Sequence, residues 1–342
     1  MDLGRGLFVI KRENMNIQNE LDKAWQKAQS FPGELAILGP NDLDPDRAAE
    51  TFIDLLQQTY VNHGVSQNPA LFGSGIRNHQ IEPFVVTRDA VPVACAALIK
   101  QSDGAKEIGR AVSIENSTGV GKIAMLTAAL STDHSQLVAE IRLADKFAGI
   151  PGGEATQRIC HGILGLTVHA ILTPFQHGSH PSTGAKYNEV FGFAAKNVKL
   201  IKDSPVQTAK QVIVNRSTTN IPLKGIEIVQ TNPFRVGVVS DMGMNLTDFQ
   251  QESRLGKPGC TLVSIEANDQ SMSTIDWLMT HDFILSGIDR LPGNNGLPIL
   301  FLSTLAHGSL LAPTRPSDTL PKNLRSDIRD ISIQLNQLLE RS

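Results

Sequence analysis

Between residues 82 and 130 the chain sets down two apolar runs about a tight turn, a third short run, a glycine loop and a helix-like stretch. EPFVVTRDAVPVACAALIKQ, dominated by Val, Phe and Ile, reads as two strands about Asp89-Ala90. EIGRAVSI, residues 107–114, places Ile108, Val112 and Ile114 on one face and Glu107, Gly109, Ala111 and Ser113 opposite. It reads as a third strand, although its alternation is imperfect. After ENSTGVG, the run KIAMLTAAL has helical spacing, with Ile123, Leu126 and Leu130 inward. An antiparallel sheet feeding a crossover is the arrangement this order demands, so the expected class is α/β (α+β), a mixed, mostly antiparallel sheet flanked by helices.

SIENSTGVGKIAML, residues 113–126, also carries chemistry. Backbone stripped of side chains just before a helix can approach a phosphate, because its N–H groups and the helix dipole both favour negative charge. A plain structural turn fits the glycine pair equally well. A nucleotide P-loop does not, because Asn116 and Ile123 stand where that motif needs Gly and then Ser or Thr.

Taken together, PFVVTRDAVPVACAALI, EIGRAVSI and NSTGVGKIAML resemble the core of the GNAT superfamily of acyl-CoA-dependent N-acyltransferases. In that family a loop of pattern Arg/Gln-x-x-Gly-x-Gly/Ala after the fourth strand cradles the coenzyme A pyrophosphate. Asn116 departs from the pattern, but the pyrophosphate there is held mainly by main-chain N–H groups. The resemblance implies acetyl-CoA or another acyl-CoA as cofactor, in contact with Val112, Ile114, Ser117, Thr118, Gly119, Val120, Gly121 and Lys122.

The family's fifth strand splays from the fourth and leads to a helix ending in a Gly-Phe-like pair. Two stretches fit. In one, LVAEIRL is the strand and GGEATQRICHGILGL the helix, which puts Glu140 and Arg142 on one strand face. In the other, LTVHAILT is the strand and HPSTGAKYNEVFGF the helix, with Tyr187 inside it. Residues 169–193 gather His169, His177, His180, Tyr187, Asn188 and Glu189 among glycines and prolines, a composition expected of a functional loop. His-x-x-His without a defined fourth ligand more often marks hydrogen-bonded imidazoles than zinc, and no metal is expected.

Direct acyl transfer to an amine needs a base and a proton donor for the departing thiolate. With two tyrosines in the chain, Tyr187 is the expected donor and Tyr60 a core residue. Glu107, Glu115 and Glu140 are the candidate bases, with Glu140 favoured because charge on Glu115 beside the loop would repel the cofactor. Arg142, His177 and His180 are expected to bind substrate, although a structural ion pair explains Glu140 and Arg142 equally well.

Elsewhere, DPDRAAETFIDLLQQTY reads as a helix with Asp44 as cap and Phe52, Leu55, Leu56 and Tyr60 on one face. CTLVSIEAND, SMSTIDWLMTHDF, HDFILSGI and LPILFLSTL resemble the latter half of another GNAT-like unit. The final PKNLRSDIRDISIQLNQLLE is amphipathic and is expected to pack on its own domain. The expected domains are an N-terminal arm with one short helix (1–34), a GNAT acyltransferase domain (35–203) and a C-terminal GNAT-like domain (204–342).

A net charge of −3 without a polybasic stripe, and 5% aromatic residues, argue against nucleic-acid binding. The absence of a long apolar run argues against a membrane span, and three scattered cysteines argue against a disulfide framework. With those classes set aside, the GNAT resemblance implies a cytoplasmic N-acyltransferase acting on a small amine, with a homodimer allowed. The alternatives are a non-catalytic fold that binds CoA or a partner, and an enzyme for longer acyl chains or hydroxyl acceptors.

Overall fold

The computed structural model describes residues 12–59, 69–132, 136–147, 152–172, 178–179, 186–196, 198, 201, 204–214, 225–231, 234–240, 260–269, 271–293, 295–305 and 310–341. The chain divides into two compact units, the first ending at Leu137.

The first unit holds α1 (Arg12–Gln29), β1 (Leu35–Leu38), α2 (Pro45–Thr59), α3 (Pro69–Arg77), β2 (Ile81–Arg88), β3 (Val91–Lys100), β4 (Lys106–Ser113) and α4 (Val120–Leu130). Its strands pair antiparallel in the order β1-β2-β3-β4. Asp89 and Ala90 take φ values of 50° and 64°, the left-handed pair whose twist suits a two-residue hairpin. Asp44 caps α2 as expected, its Oδ1 accepting the N–H groups of Asp46 at 3.1 Å and Arg47 at 3.0 Å. Phe52, Leu55 and Leu56 are buried. Tyr60 lies outside the described residues.

The imperfect alternation of the third strand has a cause. Pairing passes from Cys95↔Val112 to Ala97↔Gly109, so β4 bulges, with Arg110 at φ 53°. The Cys95 thiol donates to the Arg110 carbonyl at 3.6 Å. Helix α4 packs on β2, β3 and β4, and α1 lies along α4. That helix runs 18 residues rather than being short. Ile17, Ala24 and Ala28 form its buried stripe, too narrow to stand out in a polar composition.

The second unit holds all but the first residue of β5 (Leu137–Arg142), then α5 (Glu154–Gln157, running into a π-helical turn at Arg158–Ile163), β6 (Thr167–Leu172), β7 (Gly178–Ser179), β8 (Lys186–Asn188), β9 (Phe191–Ala195) and α6 (Pro205–Val214). It continues through β10 (Gly225–Thr231), β11 (Phe234–Ser240), β12 (Cys260–Glu266), α7 (Met272–Thr280), β13 (Ile284–Pro292), β14 (Pro298–Leu305), β15 (Leu310–Leu311) and α8 (Lys322–Glu340). The main sheet runs β5-β9-β6-β13-β14-β12-β11-β10, and β15-β8-β7 form a small second sheet.

This order is palindromic about β6 and β13. A strand, helix, strand, strand order occurs as β5-α5-β6-β9, with β7 and β8 set between its last two strands, and again as β12-α7-β13-β14, and each time the last strand inserts between the first two. The expected second, partial unit is therefore present. The copies meet at Gly287↔Ala170, where a Cβ on Gly287 would stand 2.5 Å from both Ala170 Cα and the His169 carbonyl oxygen. His169 joins the seam through an Nδ1 contact to the Ile288 carbonyl at 2.9 Å. Helix α8 packs on its own unit, burying Leu324, Ile328, Ile331 and Leu335.

LVAEIR is the fifth strand, and TVHAIL a sixth. The helix expected over HPSTGAKYNEVFGF is corrected: Lys186–Asn188 and Phe191–Ala195 are strands, and residues 180–185 lie outside the described residues. Phe191–Ala195 finds a ladder partner on each side, in β5 and β6, and those pairings override helical spacing. Among the described residues no helix is long and apolar enough to cross a membrane.

Candidate active site

In the first unit, β4 ends at Ser113 and α4 begins at Val120. The connecting loop turns through Ser117 at φ 63° and Gly119 at φ 98°. Gly119 is the N-cap of α4, and no side-chain oxygen caps the helix there, in contrast to Asp44 on α2. The loop's own hydroxyls turn elsewhere, since Ser113 Oγ and Thr118 Oγ1 donate to the Glu115 carbonyl at 3.0 and 3.3 Å. First-turn N–H groups at a helix start without a side-chain acceptor present positive potential.

The side chains of Val112, Thr118 and Val120 are buried, so what these residues offer a ligand is backbone. Ile114 is exposed, and its N–H donates to the Val93 carbonyl at 3.0 Å. Glu115 does not confront the loop as an unpaired charge. Arg88 Nε and Nη2 donate to its two oxygens at 2.9 and 3.0 Å, and the guanidinium holds the carboxyl below its ordinary range. Glu107 is bonded by Gln101 Nε2 at 2.8 Å, and burial pushes its carboxyl up against the pull of Arg110. Lys122, in the first turn, donates from Nζ to Glu20 Oε2 of α1 at 2.6 Å. A Cβ on Gly121 would meet Ser113 Cβ at 3.1 Å, and one on Gly119 the Ala24 carbonyl oxygen at 3.1 Å.

In the second unit, Leu137, Ala139 and Ile141 turn inward from β5 while Glu140 and Arg142 share the other face, as expected. Glu140 is exposed. Arg142 makes a bidentate pair with the fully buried Glu189, Nε to Oε2 at 2.8 Å and Nη2 to Oε1 at 2.6 Å. Tyr187 packs edge-on to Phe147 with ring centroids 5.1 Å apart, and its buried hydroxyl has no hydrogen-bond partner among the described residues. Burial first, then the Glu189 charge, raise this phenol to about 12 against the opposing pull of Arg142. Asn188 is also fully buried, with both amide atoms unpartnered among the described residues.

Tyr187 and Arg142 thus come together with Glu189. His169 belongs to β6 rather than to a loop. His177 and His180 lie outside the described residues. Among the described residues there is no group of three His, Cys, Asp or Glu side chains suited to a metal. The reading from sequence missed Glu189 as the partner of Arg142, and it missed Gln157. Fully buried, Gln157 donates to the Arg142 and Arg315 carbonyls at 3.0 and 3.1 Å and accepts the Ser317 N–H at 2.6 Å. The only signal for Glu189 was the polar triplet Tyr187-Asn188-Glu189 set against apolar Val190-Phe191.

No protein-family model matches the chain, and no curated protein matches it. Among solved structures, it is similar to the diaminobutyrate acetyltransferase EctA from Paenibacillus lautus, determined in complex with L-2,4-diaminobutyric acid and coenzyme A. That alignment has 13% identity and a TM-score of 0.33, covering 48% of this chain and 96% of that one. An acyl-CoA N-acyltransferase from Pseudomonas aeruginosa aligns at 12% identity and a TM-score of 0.30, over 48% and 99% of the two chains. A tandem GNAT protein from the clavulanic acid biosynthesis pathway aligns at 12% identity and a TM-score of 0.31, over 42% and 48%. At these values the likenesses transfer neither a function nor a site.

Proposed function

We propose that this chain is an acyl-CoA-dependent N-acyltransferase, with acetyl-CoA as cofactor and a small amine as acceptor. The observation that carries the proposal is the start of α4, entered through left-handed Gly119 and left without a side-chain cap. A phosphate oxygen is a natural acceptor for such N–H groups, and it needs close backbone approach.

The residues present fit the cofactor's pyrophosphate. Gly119, Val120 and Gly121 would hold it through main chain, and Lys122 would supply charge. The Arg88 pair offsets the negative charge of Glu115 beside them. When bound, acyl-CoA supplies an acyl group activated as a thioester. Glu140 is assigned to take the amine's proton. Tyr187 is assigned to give its hydroxyl proton to the departing thiolate; burial keeps the phenol protonated at neutral pH and also makes it a weaker acid than an exposed tyrosine. Arg142 is assigned to the acceptor indirectly, since its guanidinium already belongs to Glu189.

One observation favours the non-catalytic alternative, because both glycines already have packing neighbours in Ala24 and Ser113. Release of free CoA from acetyl-CoA in the presence of an amine separates the enzyme from a fold that only binds, and calorimetric titration tests the cofactor assignment that both share. Acetyl-CoA or CoA should bind and raise the melting temperature by mass action, while ATP should not. Equal binding of ATP, or no binding of any CoA species, overturns the assignment.

A further inference from the structure

One face of α1 follows the glycine loop residue by residue. Glu20, Ala24 and Ala28, spaced one helical turn apart, meet in succession Lys122 of the first turn of α4, its N-cap Gly119, and the Arg88–Glu115 pair at the loop's base. Against the loop α1 sets a carboxylate on Lys122 and the Ala24 carbonyl oxygen, 3.1 Å from where a Cβ on Gly119 would stand. Glu20 also accepts Lys23 Nζ at 2.7 Å, and Lys122 and Lys23 together hold its carboxyl below the ordinary range. The far end of α1 is anchored separately, because Arg88 donates from Nη1 to the Ala28, Phe31 and Pro32 carbonyls at 3.3, 3.3 and 3.1 Å.

Resting on the coenzyme A reading, we propose that α1 is an internal competitor of the cofactor's phosphates. Glu20 occupies the ammonium group that the pyrophosphate would use, and binding requires that ion pair to open while Arg88 keeps the helix tethered. The competition is electrostatic and local. Lys122 cannot satisfy Glu20 and a phosphate fully at once, and a second anion at this helix start adds repulsion. The contact therefore sets a threshold on cofactor affinity.

The test is a double-mutant cycle on the full chain, with CoA affinity measured by calorimetry for wild type, Glu20→Gln, Lys122→Gln and the double variant. Melting temperatures report on the fold, and phosphate-free pantetheine serves as the control ligand. Glu20→Gln should bind CoA about two- to fivefold more tightly, the scale of a partly exposed ion pair. That gain should vanish in the Lys122→Gln background, and pantetheine should respond to neither change. Equal or weaker CoA binding by Glu20→Gln, or a gain that persists without Lys122, overturns the competition and leaves the cofactor assignment standing. If no variant binds CoA, the assignment itself falls and the competition with it.

Discussion

Arg142 and Glu189 lie 47 residues apart in sequence and share two parallel hydrogen bonds, Nε to Oε2 at 2.8 Å and Nη2 to Oε1 at 2.6 Å. The carboxylate is fully buried and the arginine side chain 11% exposed. The pair thus spends its attraction on holding two charges out of water, and its value lies in the cost of breaking it on one side.

Arg142→Met should therefore destabilise the protein by about 3–5 kcal/mol, because it strands a buried carboxylate. Arg142→Met combined with Glu189→Leu should recover much of that loss. Urea denaturation checks both, and a single variant within about 1 kcal/mol of wild type would show that water reaches the pair.

Tyr187→Phe should leave stability at neutral pH unchanged or slightly higher, since the hydroxyl has no partner among the described residues to lose. An unfolded tyrosine ionises near about pH 10, and the folded phenol is raised to about 12. The raised value contributes stability that is full below the unfolded pKa and is lost as pH rises through the folded one. The variant should lack this alkaline loss in melts at about pH 8 and about pH 11. If Tyr187 is the proton donor, single-turnover rates with acetyl-CoA should also fall by at least about tenfold. A near-normal rate removes it from the chemistry.

Gly119→Ala should cost about 1–2 kcal/mol, since it forces a left-handed φ of 98° on a residue with a Cβ. Gly121→Ala meets Ser113 Cβ at 3.1 Å and should fold with little loss. Its apparent KM for acyl-CoA should rise while that for the amine stays put. Unchanged kinetics in a folded Gly121→Ala protein would make the loop a turn and nothing more.

Gly287→Ala is expected to be the most damaging single methyl among these, because the added carbon would sit 2.5 Å from backbone atoms of His169 and Ala170. Overpacking of this kind costs about 1–3 kcal/mol or more. A thermal melt unchanged from wild type would mean that β6 and β13 part at no cost to admit the methyl.

Cys95 and Cys160 are free and buried, and burial pushes both thiols up, Cys160 to about 12. Neither should react with a disulfide reagent at about pH 8 until urea unfolds the chain, because the thiolate is the reactive form. Mass-spectrometric mapping of labelled peptides from the native protein checks this, and native labelling of Cys95 would mean that the bulge in β4 opens.

Local pattern was enough to read the hairpin about Asp89-Ala90, the Asp44 cap, the glycine loop and the strands and helix of CTLVSIEAND, SMSTIDWLMTHDF and LPILFLSTL, because each is specified by residues close together in sequence. It left LVAEIRL and LTVHAILT as competing fifth strands. Asp44 needs only the N–H groups two and three residues on, and a tight turn needs only two residues able to take left-handed φ. Tertiary structure alone decided that Phe191–Ala195 is a strand, since its ladders come from β5 and β6. It decided that Arg142 belongs to Glu189, and that Lys122 faces a carboxylate 102 residues earlier in the chain. Charge partners and sheet neighbours are set by what the folded chain brings within a few ångströms, and the distance along the sequence carries no trace of that choice.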